Sequence, residues 1–80
     1  MFEIIAGDAR YQISFTKNWV NKPIIYIKKF KTPDMYVYTS LMIPIINGEI
    51  LFETDNVLDF CLPKVVENYI NKIMSLKVLL

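Results

Sequence analysis

The chain has little with which to do acid–base or nucleophilic chemistry. It contains no histidine, so the commonest general base and metal ligand is missing. Ser14, Ser40 and Ser75 therefore lack the imidazole partner of a hydrolytic triad. The only two glycines, Gly7 and Gly48, are both needed in hairpin turns, so no phosphate-cradling loop can be written around them. Cys61 is the only cysteine, which rules out a disulfide and a Cys/His zinc site. Its apolar neighbours Leu58, Phe60 and Leu62 predict a small buried hydrophobe. Glu49 and Glu53 share one face of a predicted strand, about 13 Å apart at the usual rise, which is too far for a glycosidase pair. Asp55 and Asp59 read as helix-capping and first-turn residues. The expectation is a protein that is not an enzyme, with no catalytic residue, metal, cofactor or small-molecule substrate.

Two other constellations remain. Lys28, Lys29 and Lys31 lie on one predicted strand, and Tyr36 and Tyr38 on the next. A register that sets Lys29 and Lys31 beside Tyr38 and Tyr36 would offer rings for base stacking and ammonium groups for phosphates, as single-stranded nucleic-acid binders do. The simpler reading is a solvated sheet face with lysine stems lying over tyrosine rings. The second constellation is apolar: Tyr36, Tyr38, Met42, Ile46 and Leu51 fall on the strand face opposite the predicted core, and residues of this kind are enriched at protein interfaces.

These side chains are positioned by a strand-rich region up to about residue 54 and a helical region after it. Phe2–Ala6, a Gly7-Asp8 turn and Ala9–Phe15 form the first hairpin, with Ala6 facing Ala9 and Ile4 facing Tyr11. Phe2, Ile4, Tyr11, Ile13 and Phe15 then share the buried face, a period-two alternation. Thr16–Pro23 breaks the pattern, and Trp19 within it reads as a lid over the edge of the core. Strands follow at 24–31 and 35–46, joined by Thr32-Pro33-Asp34. Pro44 predicts a bend or bulge. Asn47-Gly48 is a strong hairpin signal and returns the chain as a fifth strand, 49–54, with Ile45 opposite Ile50 and Ile43 opposite Phe52. A short turn at 56–61 precedes the main helix, 63–77, since proline is accommodated at a helix start and disruptive inside. Val65, Val66, Tyr69, Ile70, Ile73, Met74 and Leu76 make a wide apolar stripe at helical spacing. The predicted architecture is α+β: one domain, 1–80, with an antiparallel meander of five strands (2–6, 9–16, 24–31, 35–46, 49–54) and a C-terminal helix on one sheet face.

Composition then bears on partners. A chain of 80 residues has little interior, yet 54% of its residues are hydrophobic and its mean hydropathy is +0.32. One helix covers one face of a sheet, so apolar surface is left over, and a contiguous surplus points to an interface. The longest uncharged run, Met35–Gly48, is 14 residues and contains Pro44, short of the roughly 20 that a membrane span needs. Charge is unevenly placed. Arg10 to Lys31 holds six basic residues and no acidic one, whereas Asp34 to Glu67 holds six acidic residues against Lys64 alone. Ile, Lys and Asn supply 26 of the 80 residues, the bias that AT-rich coding produces. With no leader-like start and one unpaired cysteine, the expected location is cytoplasmic, in a host cytoplasm if the origin is a phage. The expected function is a protein-interaction module that masks or bridges a partner protein. It could be a phage or mobile-element inhibitor of a host factor, or a homodimer. Single-stranded nucleic-acid binding is the alternative, and no membrane association is expected.

Overall fold

The computed structural model describes residues 1–31 and 38–79, with side chains up to Leu76. The expected Thr32-Pro33-Asp34 turn and the positions of Met35, Tyr36 and Val37 lie outside the described residues. The elements are β1 (Phe2–Ala6), β2 (Ala9–Lys17), β3 (Pro23–Lys31), β4 (Tyr38–Ile46), β5 (Glu49–Ile50), α1 (Asp55–Phe60) and α2 (Lys64–Leu79). The strands form one antiparallel meander in the order β1-β2-β3-β4-β5.

The two tight hairpins follow from their turn residues. Gly7 has φ 64° and Asp8 is not left-handed, as in a turn that requires glycine at its first central position. At the second hairpin both Asn47 (φ 54°) and Gly48 (φ 79°) are left-handed, the pair whose twist matches the flanking strands. The registers are those expected: Ile4 faces Tyr11, Ala6 faces Ala9 and Ile45 faces Ile50.

The fifth strand is shorter than predicted. β5 ends at Ile50, so Ile43 has no strand partner in Phe52 and Glu53 is not on a strand with Glu49. Pro44 explains this. β4 runs through Pro44 without interruption, but Pro44 has no N–H to give to the fifth strand. The Leu51 N–H still reaches the Pro44 carbonyl at 3.4 Å, while the Phe52 N–H turns back to the Ile50 carbonyl at 3.1 Å.

Residues expected to form a turn are a short helix, α1. Thr54 is its N-cap, with extended backbone, and its carbonyl accepts from Val57 and Leu58 N–H groups at 3.1 Å. Cys61 closes it in the left-handed conformation (φ 58°), donating its N–H to the Leu58 carbonyl. Pro63 lies just ahead of α2, where its carbonyl accepts from the Val66 and Glu67 N–H groups and its missing donor costs nothing.

Both helices pack on the same side of the sheet. α1 lies against β4 and α2 against β1. Ala9, Tyr11, Ile13, Ile25, Ile27, Leu41 and Ile43 from the sheet meet Val57, Val66 and Ile70 from the helices in one buried cluster. The α2 stripe is wider than its contact: Val66, Ile70 and Ile73 are buried, whereas Val65 and Leu76 are exposed.

Candidate interaction surface

The helices pack on the inner face of the sheet and leave the centre of its outer face without a covering helix among the described residues. The strand registers arrange its side chains in rows. Ile5, Arg10, Phe30 and Tyr38 form one row, and Glu3, Gln12, Lys28 and Ser40 the next. Ser14, Tyr26 and Met42 follow, then Thr16, Ile24 and Pro44 at the end of the face, where Ile24 is buried and lines a depression with Met74 of α2.

The centre of this face is a stack of rings and cations. The Phe30 and Tyr38 rings lie 5.3 Å apart, tilted by 46°. The Arg10 guanidinium sits 4.9 Å from the Phe30 centroid. The Lys28 ammonium lies 4.9 Å from the Tyr38 centroid and 5.8 Å from that of Tyr26. Such contacts favour placing flexible cations over ring faces. Glu3 completes the network: its Oε1 accepts from Gln12 Nε2 at 2.8 Å and stands 3.9 Å from Arg10. Around this centre lie exposed Ile5, Met42 and Ile46. Beside the first row, Ile5, Gly7, Arg10 and Phe30 help line a depression of about 290 Å³.

The residues singled out from sequence separate into three places. Tyr38, Met42 and Ile46 are exposed on the outer face, as expected. Tyr36 lies outside the described residues. Leu51 is exposed but lies past the end of β5, where it lines a different cleft with Glu49 and Glu53.

The lysines are split. β3 and β4 pair with Lys29 opposite Thr39 and Phe30 opposite Tyr38, one residue out of the expected register. A one-residue slip turns every side chain to the other face. Lys28 therefore stays with the tyrosines. Lys29 and, by alternation, Lys31 belong to the helix side, where the Lys29 ammonium lies 5.8 Å from the Tyr11 ring and 5.9 Å from the Phe60 ring. The same shift brings in Tyr26 and Phe30, which the sequence reading missed. Their signal was the alternation Tyr26, Lys28, Phe30, legible once the register is known.

Two further expectations are corrected. Trp19 is not a lid over the core: it is 94% exposed. The loop that carries it is ordered by Asn18, whose Oδ1 accepts from the N–H groups of Val20 (3.1 Å) and Lys22 (2.9 Å). The Asn21 N–H also donates to the Asn18 carbonyl at 2.9 Å, so the turn pushes Trp19 and Val20 outward. Cys61 is likewise exposed rather than buried, because the left-handed residue ending α1 faces solvent.

Among the described residues no group of His, Cys, Asp and Glu is placed to hold a metal ion, and no helix is long and apolar enough to cross a membrane. No protein-family model, curated protein or solved structure matches the chain.

Proposed function

We propose that this chain is a non-catalytic protein-interaction module whose outer sheet face docks on a partner protein and masks or bridges its surface. The observation that supports this is the uncovered centre of that face, where Tyr26, Phe30 and Tyr38 are held with Arg10 and Lys28 beside exposed Met42 and Ile46. Aromatic residues, Met and Arg are enriched in interface cores, and rings already packed on one another lose less freedom on docking than free side chains do. The chain's size and its AT-rich composition fit a small phage or mobile-element inhibitor of a host factor.

The test is capture of a partner from a lysate by immobilised protein, wild type against the Tyr38→Asp/Met42→Asp double variant. The partner should be retained by the wild type and lost from the variant. Both substituted side chains are exposed, so the circular dichroism of the variant should match that of the wild type, while loss of the Phe30–Tyr38 pair lowers its melting temperature by a few degrees. Equal capture by both proteins would overturn the outer-face reading.

Single-stranded nucleic acid is the second reading, supported by three rings and two cations on adjacent strands. It is the weaker one. Lys29 and Lys31 face away, and Arg10 already lies close to Glu3. Binding of a labelled oligonucleotide that falls steeply with salt would favour it over the protein reading.

A further inference from the structure

The uneven charge along the chain becomes an uneven surface. The loop between β2 and β3 presents Trp19 and Val20 at its tip, with exposed Lys17 and Lys22 on either side. Elsewhere, β5, the segment after it and both helices border an open cleft of about 850 Å³. Ile50, Leu51, Phe52 and Leu58 supply apolar walls, and Glu49, Glu53 and Glu67 supply carboxylates. No basic residue lines the cleft among the described residues. Lys64 approaches Glu67 at 3.9 Å from an almost fully solvated position.

We propose that the Trp19 tip docks in this cleft of a second copy of the chain. The two surfaces are complementary in three respects. The tip is convex and the cleft concave, with a volume in the range of pockets that enclose whole ligands, about 300–1,000 Å³. The indole and Val20 are apolar, and so are the leucine and phenylalanine walls. Two ammonium groups flank the tip and three carboxylates rim the cleft, an arrangement that steers association and rejects like-charged partners. The tip does not occupy its own cleft, since Trp19 is 94% exposed. Because one chain carries both surfaces, copies close into a two-fold dimer when each takes the other's tip, and grow head to tail when they do not. This inference is independent of the outer-face reading and uses none of its residues.

Trp19 is the only tryptophan, so its emission reports directly on the tip. Wild-type protein should show a blue shift of Trp emission with rising concentration, in step with an increase in mass by light scattering. Both changes should weaken as salt shortens the screening length from about 10 Å at 0.1 M to about 3 Å at 1 M. Trp19→Ala should weaken association at least tenfold. Lys17→Glu/Lys22→Glu and Glu49→Lys/Glu53→Lys should each fail to self-associate while folding as wild type, and an equimolar mixture of the two should associate. Tyr38→Asp/Met42→Asp should associate like the wild type. A monomeric mass with solvent-exposed Trp emission up to about 1 mM, the concentration scale of the weakest useful contacts, would overturn the proposal. So would association that survives Trp19→Ala, or a charge-reversed mixture that stays monomeric.

Discussion

Tyr11 shows how burial changes a single group. Its ring lies in the core between β1 and β3, and removal from water, with a smaller contribution from the Asp8 carboxylate, raises its pKa above the ordinary value of 10.0. The folded state therefore favours the neutral phenol more than the unfolded chain does. That preference is fully present below the unfolded pKa, about 10, and is lost as pH rises through the higher folded value. Urea midpoints should show no Tyr11-linked change up to about pH 9 and should fall above about pH 10. Tyr11→Phe should flatten the alkaline fall, and an equally steep fall in that variant would assign it to other groups. Trp19 and Cys61 teach a related lesson. Their residue types suggested a lid and a core hydrophobe, yet both are exposed, because exposure depends on what packs against a position rather than on the residue that fills it.

At the scale of elements, local chemistry sets the turns. Gly7 and the Asn47-Gly48 pair fix two hairpin registers because few residues adopt positive φ cheaply, and both registers are legible in the sequence. Cys61 takes the same conformation (φ 58°) at the end of α1 without being glycine. An L-residue there carries a steric cost of about 1–2 kcal/mol, partly offset by the greater chain entropy glycine would lose. Cys61→Gly should therefore raise stability by about 0.5–1 kcal/mol, read as an increase in the melting temperature. A melting temperature that falls would show that the cysteine side chain makes a stabilising contact. The register between β3 and β4 has no comparable local determinant, since no glycine or Asn-Gly pair stands between Lys31 and Tyr38. That is why Lys29 and Lys31 were expected beside the tyrosines when Phe30 stands there instead.

The whole molecule is two layers with a one-sided core. Neighbours along β4 should then differ sharply in energetic weight. Ile43 is fully buried under the helices, while Met42 next to it points to the uncovered face and is 59% exposed. Ile43→Val should cost about 1 kcal/mol and lower the melting temperature by about 4–8 °C in a domain of this size. Met42→Val should change stability by less than about 0.5 kcal/mol. Thermal melts of dilute protein test the contrast, and equal losses would mean that the outer face is also packed. A domain of this length has only about 4–12 kcal/mol of total stability, so leaving Ile5, Tyr38, Met42 and Ile46 in water forgoes a substantial share of what burial could supply. A partner surface would recover it.

By itself the sequence determined the meander, the helical C-terminal region and the two tight hairpins. Each follows from a period of two, a period of 3.6, or a turn residue read over a few neighbouring positions. It also shows no histidine and a single cysteine. Only the tertiary structure decided which side chains share the outer face. It moved Tyr26 and Phe30 in beside Lys28, sent Lys29 to the helix side, stopped the fifth strand at Ile50 and left Trp19 in solvent. The first two outcomes depend on strand pairing between segments far apart in the chain, and a one-residue change of register reverses them without altering any local pattern; the last two come from local bonding around Pro44 and Asn18.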